Sequence, residues 1–225
     1  MTDRFSMSNT YLLNDTRLVV VDPGSELNVR LVQRYIQHFL HRALSDIDLI
    51  VLTHLHNDHT AGVEAMRALT RAPVAASSAV LRLIENRYEG RVMPRLSQLA
   101  GQVLSGPLPY LDMFPPVYAE QMKRVDLWLN ELDGLPGHPD WRVLLSPGHT
   151  PDSLCLHNAS TKELLCGDTV ITVQGGAPLL RGGSHRRQLE ATLQILRNLP
   201  VFYLYPGHGR PILSRRPLSN VEVEW

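Results

Sequence analysis

Residues 47–59 read IDLIVLTHLHNDH, which is the most informative stretch of the sequence. It begins with a continuous run of apolar and β-branched residues, which predicts a strand buried on both faces, as in a sheet covered by helices. Titratable side chains follow this strand directly, at a strand-to-helix turn, and they are His54, His56, Asp58 and His59. Imidazole and carboxylate groups are the ligands of zinc and related first-row metals. The stretch therefore predicts a metal site at the end of a buried strand.

The same context recurs at three later places in the chain. In each, a strand-like run ends in a turn that contains glycine, and a ligand-type side chain follows; these are His149 in SPGHT, Asp168 in CGDT and His208 in YPGHG. Glycine lets the backbone turn sharply at the end of a strand. Because side chains from several strand ends can converge at one edge of a sandwich, we predict that these residues share the site formed by the first stretch.

The remaining sequence alternates between strand-like and helix-like segments, which is typical of the α/β class. Helices are predicted where apolar residues recur at spacings of three and four, and strands where short apolar or β-branched runs are bounded by turn residues. The predicted strands are 9–13, 17–22, 47–53, 73–76, 142–145, 153–157, 163–166 and 201–205. The predicted helices are 25–43, with Ser25 as its cap, 63–69 and 185–199.

Residues 77–140 interrupt this alternation with arginine-containing, helix-like patches that are broken by glycine and proline. One such patch, 117–132, carries an amphipathic pattern. We predict a single domain, 1–225, with a helical lid inserted at about 77–140. The lid either covers the metal cleft and binds substrate or forms a structural cap or an oligomer contact. A chain of 225 residues is long enough to bury a core without disulfides.

Composition and charge exclude several classes of protein. Lys plus Arg and Asp plus Glu both number 22, and this zero net charge disfavours a nucleic-acid partner held by a broad basic face. The two cysteines, Cys155 and Cys166, cannot form a disulfide framework, and Cys166 is interpreted as an inert core thiol rather than a ligand. The sequence begins without a signal-peptide pattern, and its apolar runs are far shorter than the roughly 20 residues of a membrane span. We therefore predict a cytoplasmic protein without membrane contact, and a homodimer is left open.

The motifs THLHNDH, SPGHT, CGDT and YPGHG, with VVVDPG near the start, occur in an order and spacing that resemble the metallo-β-lactamase superfamily over most of the chain. The resemblance implies a four-layer αβ/βα sandwich, here with the helical insertion, and a metal site at the edge between the two sheets. It also implies two metal ions joined by a bridging carboxylate. The first ion would be held by His54, His56 and His149, the second by Asp58, His59 and His208, and the bridge would be Asp168.

Within this superfamily, the chain resembles glyoxalase II-like hydrolases. Two divalent ions about 3.5 to 4 Å apart lower the pKa of a bridging water, and the hydroxide can attack a carbonyl carbon. Asp58 would orient this hydroxide and pass a proton to the leaving group. We therefore expect a dinuclear metal-dependent hydrolase that cleaves a thioester or related acyl ester of a small molecule by a metal-bridging hydroxide. Zinc is the expected metal, and iron and manganese also suit these ligands.

Several alternatives stay open on the sequence alone. Lactone hydrolysis, which would use the same hydroxide, is the second hypothesis, and phosphodiester cleavage is the third. A persulfide oxygenase with a single iron and a metal-binding module without turnover are further hypotheses. The sequence ends soon after His208, which leaves no room for the C-terminal helical domain that supplies glutathione contacts in long glyoxalase II enzymes. Asp22 and Thr53 are candidates to hydrogen-bond the ligating imidazoles. For Asp22, a role in forming the turn before Pro-Gly is equally compatible.

Overall fold

The structure is a computed structural model that describes residues 8–81, 121–172, 178–181, 185–219 and 221–224. Within these ranges the chain forms fourteen strands and four α-helices. The strands are β1 Tyr11–Asn14, β2 Leu18–Val21, β3 Ile47–Val51, β4 Val74–Ser77, β5 Leu127–Leu129, β6 Gly134–Leu135, β7 His138–Leu145, β8 Leu154–Asn158, β9 Glu163–Gly167, β10 Ile171–Thr172, β11 Pro178–Arg181, β12 Tyr203–Pro206, β13 Ile212–Leu213 and β14 Glu222–Glu224. The helices are α1 Glu26–His38, α2 Asn57–Thr60, α3 Val63–Thr70 and α4 Arg186–Arg197.

The first sheet has the strand order β1-β2-β3-β4-β5 and is covered on its outer face by α1 and α3. β1 and β2 pair antiparallel, and the remaining neighbours pair parallel. Alternate residues of β3 face opposite sides: Ile50 packs in the core beneath the two helices, whereas Leu49 and Val51 pack in the core between the sheets. This strand is therefore buried on both faces, as its continuous apolar run predicts.

The second sheet has the order β13-β12-β9-β8-β7-β6 and is covered on its outer face by α4. Leu189 and Leu193 of α4 pack against Leu164 of β9, whereas Leu156 and Leu165 belong to the core shared with the first sheet. The layers thus follow the order helix, sheet, sheet, helix, and the predicted αβ/βα sandwich is confirmed. A small third sheet joins β10, β11 and β14.

The predicted lid at 77–140 differs from the structure at its C-terminal end. Residues 82–120, which make up most of it, lie outside the described residues, and the domain division stays a prediction. From Leu127 onwards the chain forms strands rather than helix, and β5 pairs in parallel with β4. The carboxylate of Asp126 fixes this pairing by accepting the backbone N–H of Val74 at 2.8 Å. Pairing with a neighbouring strand here overrides the amphipathic pattern of 117–132.

Helix α1 begins as predicted, since the side-chain oxygen of Ser25 accepts the backbone N–H of Asn28. It ends at His38 rather than near Ala43. The backbone of His41 has φ 51°, in the left-handed region, which is incompatible with a continued helix. In the described part of the chain, no helix has the length and apolar character needed to cross a membrane.

The two thiols should be chemically inert in the folded protein. Cys155 and Cys166 are fully buried between the second sheet and α4, so the prediction of a core thiol is confirmed. Burial raises the pKa of Cys155 to about 11 and that of Cys166 well above its ordinary value. We expect neither cysteine to react with iodoacetamide at pH 8 until denaturant is added, as measured by mass spectrometry. Alkylation of either cysteine in the native protein would contradict this prediction.

Candidate metal centre

All seven residues of the predicted metal site lie together, at the ends of strands. Strands β7, β9 and β12 run in the same direction, so their carboxyl ends meet at one edge of the second sheet. His149, Asp168 and His208 follow these three strands. The other four residues come from the turn after β3 and from the short helix α2, which carries Asp58 and His59. The site therefore lies at the edge between the two sheets.

The first metal-binding group consists of His54, His56, His149 and Asp168. One potential ligand atom from each of these residues lies within 4.8 Å of all the others. His149 Nε2 is 3.2 Å from His56 Nδ1 and 3.5 Å from Asp168 Oδ2. His54 Nε2 is 3.9 Å from the same carboxylate oxygen. These atoms converge on one point.

The second metal-binding group consists of Asp58, His59 and His208, and it meets the same criterion. His208 Nε2 is 3.2 Å from Asp58 Oδ2 and 3.4 Å from His59 Nε2. Asp168 also contacts this group, since its Oδ2 is 3.2 Å from His208 Nε2 and its Oδ1 is 3.4 Å from His59 Nε2. The carboxylate of Asp168 thus lies between the two groups.

These residues fit divalent metal ions. Zinc–ligand bonds of about 2.0–2.2 Å place two ligand atoms of one tetrahedral ion roughly 3.3–3.6 Å apart, and the separations given above span 3.2 to 3.9 Å. His54 Nε2 is buried and has no hydrogen-bond partner among the described residues, and Asp168 Oδ1 is buried with only the 3.4 Å ion-pair contact to His59 Nε2. An unsatisfied buried polar atom costs about 1–3 kcal/mol, and a cation held by the first group would satisfy His54 Nε2. The assignment of each individual ligand stays a prediction.

Asp22 and Thr53 orient two of the imidazoles. Asp22 Oδ2 is 2.9 Å from His59 Nδ1, and Asp22 Oδ1 accepts the backbone N–H of Thr53 at 2.8 Å. The Thr53 hydroxyl donates to Asp22 and lies 3.1 Å from His54 Nδ1. Both imidazoles can then carry their proton on Nδ1, which leaves the lone pair of Nε2 facing the site. The predicted contacts are confirmed, and Asp22, at φ 52°, also forms the turn.

Burial and neighbouring charges set the protonation states of the first group so that it can bind a cation. Burial lowers the pKa of His54 well below its ordinary value and that of His149 to about 4, so both imidazoles are neutral at pH 7. Burial alone would raise the pKa of Asp168, but the charge of His59 and the hydrogen bond with His208 hold it well below its usual range. Asp168 is therefore ionised at pH 7, and on the side of the first group it faces the neutral imidazoles of His54 and His149.

The second group attracts positive charge more strongly. Burial disfavours the protonated form of His59, yet the carboxylates of Asp22 and Asp168 raise its pKa well above the ordinary value. The pKa of His208 is raised to about 10, because hydrogen bonds with Asp168 and Asp58 outweigh burial. These carboxylates favour a cation at this place, whether it is a proton or a metal ion.

A glycine permits the close approach of the strand ends. A Cβ atom at Gly207 would overlap Asp168 Oδ1 and lie 2.8 Å from His59 Cε1. Only a residue without a side chain therefore leaves room for these two groups beside the turn that carries His208. The glycine in the YPGHG motif is explained by this contact.

Two further residues beside the site were missed by the sequence reasoning. Asp152 accepts a hydrogen bond from the turn that carries His54 and His56, and Asn9 donates hydrogen bonds to the loop that carries His208. Asp152 stands three residues after His149 in the SPGHTPD stretch, and an acidic residue at that place was the available signal. For Asn9 the bonded partners lie 197 and 200 residues away, and no local pattern indicates them.

Comparison with known proteins gives a consistent result. A family described as "Metallo-beta-lactamase superfamily" matches residues 3–208. The chain is 26% identical over 231 residues to the "Probable metallo-hydrolase YqjP" of Bacillus subtilis, covering 92% of this chain and 69% of that protein. It is 22% identical over 200 residues to the hydroxyacylglutathione hydrolase of Francisella tularensis subsp. novicida, covering 88% of this chain but only 61% of that enzyme.

A solved structure shows the same fold. The protein TTHA1623, crystallised in a di-iron-bound form, superposes with a TM-score of 0.58 at 24% sequence identity. The alignment covers 92% of this chain and 89% of that one. The likeness therefore extends over nearly the whole of both molecules.

Proposed function

The chain belongs to the metallo-beta-lactamase superfamily, and we propose that it is a metallo-hydrolase that cleaves a thioester or related acyl ester of a small molecule with the help of two divalent metal ions. The observation that carries this proposal is the position of Asp168 between two groups of ligand-type atoms. A carboxylate in this position is a ligand that two metal ions can share. The relatives named metallo-hydrolase and hydroxyacylglutathione hydrolase support hydrolysis, and the latter name supports an acyl thioester as the substrate class.

The chemistry that such ions supply when bound is a water of lowered pKa and stabilisation of negative charge on a carbonyl oxygen. The residues of the first group hold neutral nitrogen donors in place for this purpose. The same donor set suits zinc and iron, and we propose zinc as the resident metal. Elemental analysis after expression in medium supplemented with each metal tests this choice.

Asp58 is the proposed catalytic residue. Its side chain is 40% exposed, whereas those of His59 and Asp168 are 0% and 8% exposed, so Asp58 can meet a substrate. Burial alone would raise its pKa, but the hydrogen bond with His208 holds it below the ordinary value. Asp58 is then ionised at neutral pH. Its carboxylate can accept the proton of the attacking water and return it to the leaving group.

We propose a small molecule as the substrate, since the zero net charge of the chain disfavours a nucleic-acid partner held by a broad basic face. We also propose a reducing, cytoplasmic environment, which agrees with two buried cysteines that form no disulfide. Light scattering of the purified protein will decide between a monomer and a homodimer.

Metal analysis and a substrate panel test the proposed function. We expect the wild-type protein to retain close to two metal ions per chain, and His54→Ala and His208→Ala to lose mainly one ion each. In a panel of thioesters, lactones and phosphodiesters, turnover should be highest with a thioester. Wild-type protein that binds at most one ion in excess metal would exclude the two-metal site, and a preference for lactones or phosphodiesters would reassign the substrate class.

A further inference from the structure

A buried carboxylate fastens the turn that carries part of the first metal-binding group. Asp152 Oδ2 accepts the backbone N–H of Leu55 at 2.9 Å, and Asp152 is only 2% exposed. Leu55 is the residue between His54 and His56, so this bond fixes the peptide that separates two of the histidines. Asp152 itself follows His149 by three residues. One carboxylate therefore ties together the two segments that supply all three imidazoles of the group.

A buried amide does the same for the second group. Asn9 Nδ2 donates to the carbonyl of Pro206 at 2.9 Å and to that of Gly209 at 2.8 Å. The backbone N–H of Asn9 donates to the carbonyl of Gly207 at 2.7 Å. Since a carbonyl oxygen can only accept, the NH₂ end of the amide must face this loop. The peptides on both sides of His208 are thus held by one residue.

The residue before Asn9 extends this contact to the other part of the second group. The hydroxyl of Ser8 donates to the backbone carbonyl of Asp58 at 2.6 Å. Ser8 and Asn9 together therefore join the helix that carries Asp58 to the loop that carries His208. Asp58 and His208 are 150 residues apart in the sequence.

We propose that Asp152 and Asn9 are positioning residues, each of which preorganises a different metal-binding group. Asp152 serves the group of His54, His56 and His149, and Asn9 serves the group of Asp58, His59 and His208. The proposal rests on the two-metal function proposed above. Replacing a residue that hydrogen-bonds a metal ligand or its backbone typically lowers metal affinity by roughly 10- to 100-fold. Each replacement should therefore weaken the binding of one ion and leave the other ion in place.

Metal titration of Asp152→Ala and Asn9→Ala tests this division. Metal-free protein is titrated with Co²⁺ against a chromophoric chelator, which gives a dissociation constant for each ion. His149→Ala and His208→Ala serve as spectral references for an empty first group and an empty second group. We expect Asp152→Ala to weaken the first group at least roughly 10-fold and to resemble His149→Ala, whereas Asn9→Ala should weaken the second group to a similar extent and resemble His208→Ala.

Isosteric variants separate positioning from loss of volume. Asp152→Asn keeps an oxygen that can accept the Leu55 N–H, so it should restore most of the affinity of the first group. Asn9→Asp keeps the size of the side chain but sets an oxygen against two carbonyl oxygens, so it should weaken the second group at least as much as Asn9→Ala. These two variants also carry the test if either alanine variant fails to fold.

Asn158→Ala is the matched control. Asn158 is also a buried Asn, and its Oδ1 accepts the backbone N–H groups of Ser160 and Thr161 at the end of β8 far from the metal centre. We expect this variant to lose thermal stability and to retain both ions with wild-type affinity. If it weakens metal binding as much as the test variants do, or if they weaken both groups equally, the proposal is overturned. Wild-type protein with a single ion would instead overturn the two-metal function, and this proposal with it.

Discussion

Asp58→Asn should keep the fold and lose most of the turnover of the best substrate found in the panel, by at least roughly 10- to 100-fold. The amide has nearly the same size as the carboxylate, but it cannot accept a proton at neutral pH. It also weakens the contact between Asp58 Oδ2 and His208 Nε2, which is 3.2 Å in the wild type. Steady-state kinetics and metal content should be measured on the same preparation, because retained metal with lost kcat identifies proton transfer as the missing step.

Asp48→Asn provides a matched control for this substitution. Asp48 is also a partly exposed carboxylate beside an imidazole, with its Oδ1 3.4 Å from His138 Nε2, and it lies on β3 outside the metal centre. Its replacement should leave both kcat and metal content at the wild-type level. Wild-type turnover by Asp58→Asn would show that Asp58 takes no part in the chemistry.

The ligand-type residues could be predicted from sequence because each is encoded locally. Each of the four motifs lies where a strand ends and the chain turns. Strands that run in the same direction have their carboxyl ends at the same edge of the sheet. His149, Asp168 and His208 are placed in this way by β7, β9 and β12. The common direction of these strands thus brings the side chains of three separate motifs into one cluster.

The supporting contacts could not be predicted in the same way. The amide of Asn9 bonds carbonyl groups of a loop almost 200 residues later, and a backbone carbonyl has no sequence signature. Asp22 was ambiguous for a different reason. A turn and a hydrogen bond to an imidazole both favour Asp at that position, and the structure shows that the residue fulfils both functions.

The fold shows the same contrast between local and distant signals. Strand β3 is long and continuously apolar, so its burial could be predicted from its own residues. Strand β5 has only three residues, and it lies within the segment 117–132, whose amphipathic pattern predicts a helix. What makes it a strand is the free edge of β4, which lies about 50 residues earlier in the chain. Short strands of this kind depend on a partner that local periodicity does not reveal.

Asp22→Asn should weaken metal binding at the second group by at least roughly 10-fold. The carboxylate of Asp22 faces three donors: the backbone N–H and the hydroxyl of Thr53, and the Nδ1–H of His59. An amide offers one oxygen and one NH₂ group, so at least one of these donors loses its acceptor and must either accept from the NH₂ group or lie unfavourably against it. If that donor is His59, its proton moves to Nε2 and removes the lone pair that would face the metal. Co²⁺ titration and the exchangeable imidazole N–H signals in the proton NMR spectrum measure both consequences.

Asp126→Asn separates this effect from the general loss of a carboxylate that accepts a backbone N–H. Asp126 also accepts a backbone N–H, that of Val74 at 2.8 Å, but it lies beside β5, away from the metal centre. Its replacement should lower the thermal stability without altering either metal dissociation constant. If Asp22→Asn binds both ions with wild-type affinity and keeps the His59 N–H signal, Asp22 acts only through the turn that precedes Pro23 and Gly24. The orientation of His59 must then come from its burial within the site, where its side chain is 0% exposed.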